Sequence, residues 1–120
     1  MSMRPVWLGV LVALFACSGP VPTVDRVVVV NRTAYDVNVE VRANDDSGWT
    51  EVGQARHDAE TLFQEVVDQG ATWIVHLHYG GKDAGEITLS RRQLADNRWR
   101  IDVPEDVARR LAEQGISPPP

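Results

Sequence analysis

A chain of 120 residues has room for one domain with a modest core, not two. Its 17 acidic and 12 basic side chains, net charge −5, argue against a nucleic-acid surface. A single cysteine excludes an internal disulfide, so the fold must hold through its core alone.

The N-terminus reads as an export signal. Arg4 precedes an apolar run from Val6 to Ala16, and small residues follow in Cys17-Ser18-Gly19-Pro20. Eleven residues are too few to cross the hydrocarbon layer, which takes about 20 in a helix. A buried helix of the folded domain is the alternative, but Pro20 and Pro22 separate the run from everything that follows.

The residues Leu14-Phe15-Ala16-Cys17 resemble a bacterial lipobox, in which a small residue precedes a cysteine that is lipidated and becomes the new N-terminus. Leu14, Ala16 and Cys17 match that pattern, and Phe15 stands where Ala, Ser or Thr is usual. The resemblance implies a signal peptide over residues 1–16, lipidation of Cys17 and a proline-bearing tether over 17–23. It also implies a location on the outer side of a membrane, held by a lipid anchor. The alternative is an ordinary signal-peptidase cut after Ser18, which would release a soluble secreted protein.

The folded region is expected over residues 24–114. Val24 to Arg32, with its run Val27-Val28-Val29-Val30, has the β-branched content of a strand. Asn31-Arg32-Thr33 has the form of a glycosylation acceptor, and here Asn31 and Thr33 read as turn or edge residues. From Tyr35 to Ala43 apolar and polar residues alternate, the pattern of a half-exposed strand. Asn44 to Gly48 is a turn, and its acids lack the alternating ligands of an EF-hand loop.

Trp49 to Gly53 is a short strand and Gln54 to Glu60 a polar loop. Thr61 to Val67 is a strand with Leu62, Gln64 and Val66 on one side, Phe63 and Val67 on the other. The central strand is Ala71 to Gly80: Trp73, Val75, Leu77 and Tyr79 share one face, while Thr72, Ile74, His76 and His78 share the other. Gly80 to Gly85 reads as a turn and Glu86 to Ser90 as a strand. Ser90-Arg91-Arg92-Gln93 has the form of a capping box opening a short helix over Arg91 to Asp96.

Arg98 to Val103 returns as a strand with Trp99, Ile101 and Val103 inward. Pro104, Glu105 and Asp106 then open a helix that Gly115 closes, and residues 115–120 read as a disordered tail.

About seven strands in roughly 80 residues need two layers to bury their apolar faces. The expected fold is all-β, an immunoglobulin-like β-sandwich with a short C-terminal helix, and a small β-barrel is the alternative. The lipobox, the tether, the segment Val27 to Val41 with Asn31-Arg32-Thr33-Ala34-Tyr35, and the β region to Val103 together resemble small bacterial envelope lipoproteins. The resemblance carries no site residues.

His76 and His78 are the chemically suggestive pair. On one strand face they sit about 6–7 Å apart at Cα, a spacing that suits two ligands of one zinc ion, with a third ligand required. His57 is the remaining histidine; Asp58, Glu60 or Glu86 could also complete a set. The stretch also resembles the first cupin motif, with Gly70, His76 and His78 in place and Asp83 where that motif has glutamate. Yet Ser90 stands where that motif has glycine, and no histidine follows His78. The alternative is that both histidines line a partly exposed sheet face and pair with acids.

The serines Ser47, Ser90 and Ser117 lie in turn, cap and tail, with no nucleophile elbow, so no catalytic residue is assigned. Trp73 and Trp99 read as core; a carbohydrate or peptide platform would need exposed rings. Charge is uneven, with nine acids from Asp36 to Asp68 and six arginines from Arg91 to Arg110. That pattern reads as two solvated surfaces, or as a molecule polar enough to dock. The functional expectation is a non-enzymatic exported module that binds an envelope protein or cell-wall polymer. The alternative is a transition-metal-binding domain built on His76 and His78, with zinc as its cofactor.

Overall fold

The computed structural model describes residues 21–120. The expected signal segment, Cys17 and most of the tether lie outside the described residues. Seven strands and two helices follow in the order β1 (Thr23–Asn31), β2 (Val37–Ala43), β3 (Thr50–Ala55), β4 (Ala59–Val67), β5 (Thr72–Tyr79), β6 (Lys82–Ser90), α1 (Arg91–Asp96), β7 (Arg100–Asp102) and α2 (Asp106–Glu113).

The strands form two sheets, β4-β1-β7 and β3-β2-β5-β6. They do not close on each other, so the fold is the immunoglobulin-like sandwich and not the barrel. Within each sheet neighbours run antiparallel, except that β7 lies parallel to β1. Between the sheets the core is built from the inward valines of β1 and β2, from Trp73, Val75 and Leu77 of β5, and from Leu94, Ile101 and Leu111. The central strand keeps the alternation seen in its sequence. The capping box at Ser90 and Gln93 is also present, with both reciprocal bonds formed.

Several segments depart from expectation, among them the strand expected over Arg98 to Val103, which spans only Arg100–Asp102 because Arg98 and Trp99 take positive φ, 55° and 59°. Strand β2 begins at Val37 because Tyr35 belongs to the corner before it. The polar loop Gln54–Glu60 contracts to residues 56–58, and the glycine-rich turn Gly80–Gly85 contracts to two residues. Gly80 and Gly81 both take positive φ, 53° and 80°, as the type I′ form of a two-residue hairpin requires at both central positions. Strand β6 therefore starts at Lys82, four residues earlier than its sequence indicates.

On β4 the expected faces are reversed at one end: Phe63 packs inward and Leu62 is 44% exposed, while Val66 is buried. The phase changes where Glu65 adopts φ 54° opposite Asp25, a pair missing from the β1–β4 ladder.

At the end of α2 the N–H of Ile116 donates to Leu111 O and that of Gly115 to Ala112 O. Gly115 has φ 79°, the left-handed cap that terminates helices. Ile116 is no free tail residue, since its carbonyl accepts the Tyr35 hydroxyl at 2.7 Å and its side chain packs on the core.

Two of the four crossings between the sheets, β1 to β2 and β3 to β4, meet at one buried corner. Asn31 is fully buried there and makes four bonds. Its Nδ2 donates to Tyr35 O (2.7 Å) and to Ala55 O (3.0 Å), and its Oδ1 accepts from Thr33 N (3.0 Å) and Thr33 Oγ1 (2.8 Å). Asn31 and Thr33 thus occupy the turn expected of them but are interior, not edge, residues.

Removing the Asn31 amide takes a donor from Ala55 O and the acceptor from Thr33 N–H, and leaves Tyr35 O with only the 3.3 Å bond from Thr33 Oγ1. Asn31→Ala is expected to cost about 2–4 kcal/mol, since each stranded buried group costs about 1–3. Urea denaturation read by far-ultraviolet circular dichroism measures it.

Candidate functional site

The polar faces of β3, β2, β5 and β6 form the outer surface of the larger sheet. Register sets Glu40 of β2 opposite His76 of β5 and opposite Glu51 of β3, and His76 opposite Glu86 of β6. Two irregularities adjust this surface. A bulge between Val39 and Glu40 carries Glu51 opposite Glu40; at that bend Gly53 has φ 148°, and a Cβ there would meet Phe63 Cε1 at 2.6 Å. A second bulge, between Leu77 and His78, sets Asp83 opposite His78. From there the Asp83 carboxylate reaches back to His76.

His76 is held at both ring nitrogens, with Nδ1 2.7 Å from Glu40 Oε1 and Nε2 2.8 Å from Asp83 Oδ1. A neutral ring would present a lone pair to one of these carboxylates, whereas the imidazolium donates to both. Burial disfavours the charged ring and is the largest single influence. The hydrogen bonds and charges of Glu40 and Asp83 together outweigh it, so the His76 pKa is raised above the ordinary 6.5. Asp83 is lowered, first by the Gly85 N–H and then by His76.

Beyond His76 the surface opens into a cleft of about 500 Å³ lined by Glu40, Trp49, His76, Asp83, Glu86 and Arg110. Trp49 is 41% exposed, its ring lies 5.4 Å from the His76 ring, and the Arg42 guanidinium stands 5.0 Å from the centroid of the indole. Trp73 and Trp99 pack edge to face at 5.5 Å. Both belong to the core region as expected, and Trp49 is the exposed ring.

His78 lies on the same face, its ring 5.6 Å from that of His76. Its Nε2 is buried and has no hydrogen-bond partner. The nearest acceptors are Glu51 Oε2 at 3.6 Å and Glu40 Oε2 at 4.0 Å. Glu40, Glu51 and His78 are the one group of three such side chains, among the described residues, with ligand atoms all within 4.8 Å of one another.

The expected third histidine is elsewhere. His57 Nδ1 is 2.7 Å from Asp36 Oδ1, which also accepts the His57 N–H at 2.8 Å. These two bonds, the backbone one first, hold Asp36 below its ordinary value. Of the other acids considered beside the histidines, Glu86 lines the cleft, Glu60 pairs with Arg100 at 2.8 Å, and Asp58 borders a separate surface hollow with Glu60.

Sequence reasoning missed Glu40, Glu51 and Trp49. Glu40 was visible only as a polar position of a half-exposed strand, and Glu51 only as a residue of a short one.

Comparison of the chain with protein-family models, curated proteins and solved structures gave no match. Among the described residues no helix is long and apolar enough to cross a membrane.

The raised pKa has a definite sign. Proton binding by His76 stabilises the folded state fully below pH 6.5, and the benefit is lost as pH rises through the folded-state value. Nuclear magnetic resonance should place the His76 midpoint above 6.5, and Asp83→Ala should lower it. A midpoint at or below the ordinary value would show that burial dominates.

Proposed function

We propose that this protein is an exported, lipid-anchored binding module of the bacterial envelope that takes its ligand in the cleft beside Trp49. One observation carries the reading: an exposed indole forms one wall of an open cleft whose other walls are charged hydrogen-bonding groups. An indole face covers the apolar side of a sugar ring, and carboxylates and a guanidinium bond its hydroxyl or acidic substituents. The ligand class that fits is a cell-wall saccharide polymer.

Binding suits this geometry better than turnover. Both nitrogens of His76 are engaged by carboxylates, so the ring serves as a fixed donor and is not available as a base. The placement in the envelope rests on the N-terminal sequence: a short apolar run, then Cys17, then prolines that hold a domain off a surface. Two acyl chains of a diacylglycerol would supply stable attachment where one is marginal.

Isothermal titration with solubilised wall polysaccharide fragments tests the cleft. Saturable binding is expected, weakened at least about tenfold by Trp49→Ala. Binding unchanged in that variant, or none in the parent, would remove the cleft from consideration.

Intact-mass spectrometry of the protein from a lipidating bacterium tests the anchor. The mature chain should begin at Cys17 with added diacylglycerol and partition into detergent, and Cys17→Ser should abolish both. A soluble product beginning at Gly19 would mean plain secretion.

A further inference from the structure

The geometry points to a divalent transition-metal site formed by Glu40, Glu51 and His78 on the outer face of the larger sheet. It adjoins the cleft through Glu40 but does not depend on what the cleft binds. Three independent features of this surface converge on it.

The first is the placement of like charges. Glu40 and Glu51 are direct cross-strand partners, and carboxylates directly opposite one another destabilise a sheet unless a cation lies between them. Arg42, the arginine nearest in sequence on β2, is directed elsewhere, to Trp49, Asp46 and the Ala43 carbonyl. Among the described residues the only basic side chain within 4.0 Å of Glu51 is His78.

The second is His78 itself. Its side chain is 20% exposed, yet Nε2 has essentially no surface of its own and donates to nothing. A buried ring nitrogen without a partner is costly, and a metal ion is the ligand that an imidazole nitrogen between two carboxylates accommodates.

The third is fit. Ligand atoms 2.0–2.1 Å from a tetrahedral zinc lie about 3.4 Å apart, and about 3.6 Å when the angle opens to 120°. The observed separations from His78 Nε2 are 3.6 and 4.0 Å, and all three ligand atoms lie within 4.8 Å of one another, so side-chain rotations are what closing the site requires. One imidazole and two carboxylates suit zinc or a neighbouring first-row ion, and three protein ligands leave a coordination position for water or a bound group.

The arrangement also has the outer support that metal ligands need. Glu40 keeps Oε2 toward His78 while Oε1 is fixed by His76, and His76 is fixed in turn by Asp83. His76 is therefore a positioning residue here and His78 the ligand. This divides the roles of two histidines whose spacing alone made them look equivalent.

The test uses the full-length chain carrying Cys17→Ser, which removes its only thiol, prepared without a histidine tag and stripped with EDTA. Calorimetric titration with zinc chloride should give one saturable equivalent. Glu51→Gln should weaken it at least tenfold and His78→Ala should abolish it. Circular dichroism verifies that each variant is folded; Glu51, at 56% exposed, tolerates replacement if His78 does not.

His57→Ala and Trp49→Ala should leave zinc binding unchanged, so loss of polysaccharide binding and loss of zinc binding are separable results. No saturable binding by the parent, or binding undiminished in Glu51→Gln, would overturn the site. The first of these outcomes would mean that His78 lies between two carboxylates without holding a metal.

Discussion

Asn31 holds the two sheets together at the corner where two of the chain's four passages between them meet. Its amide spans the corner after β1 and the last carbonyl of β3, and no water is needed to satisfy any of its four polar valences. Neighbouring bonds extend the same clamp. Asp58 N donates to Thr33 O, and Asp36 accepts both the N–H and a ring nitrogen of His57. A fully satisfied buried polar network favours one arrangement over others, because any slip strands several groups at once. In a domain without disulfides, register must be secured by contacts of this kind as well as by the valine core.

Register in turn makes the outer surface. With β2 fixed at Val37, its alternation carries Glu40 to the row that crosses His76, and the two bulges do the rest. Each bulge skips one residue on an edge strand, Val52 on β3 and Ala84 on β6. The effect in both cases is to advance an acid, Glu51 or Asp83, toward a histidine of β5. Bulges are found where a strand must re-aim a side chain, and these two aim at the same pair of rings. Ala84 is fully buried, so the residue displaced by the second bulge is spent on the core and not lost.

What the sequence discloses divides along the range of the interaction. The faces of β5, the capping box at Ser90 and the cap at Gly115 depend on residues within a few positions of each other, and each appears as read. The polar corner at Asn31-Arg32-Thr33 was visible as a turn, but its burial depends on Ala55, 24 residues away. The partner of His76 is 36 residues distant, and the pairing of β2 with β5 decides which acid that is.

Bulges leave no period of their own, so Glu51 and Asp83 could be named only as acids near the histidines or not at all. The uneven charge also takes its meaning from the fold. Arg91 bonds Asp68 and Arg100 bonds Glu60, so part of the basic segment is matched within the molecule by the acidic one. Exposed pairs of this kind contribute little stability, about 0–1 kcal/mol each.

The outer face of β3-β2-β5-β6 therefore stands apart from the rest of the surface. Elsewhere opposite charges meet across elements. Here one cross-strand row reads Glu51, Glu40, His76, Glu86, three carboxylates with a single imidazole among them. Asp83 adds a fourth acid from the adjacent row.

A sheet selected for stability alone would alternate sign along such a row or place threonines there. The concentration of like charge around two histidines and one exposed tryptophan breaks a local rule without a stabilising return in the core. Such departures are expected at functional or strained sites, and the proposed cleft and metal site both lie on this face. The same reasoning makes His76 the hinge of the face. It alone touches both acids that flank it, so its proton and its position set the charge that any ligand meets on either side.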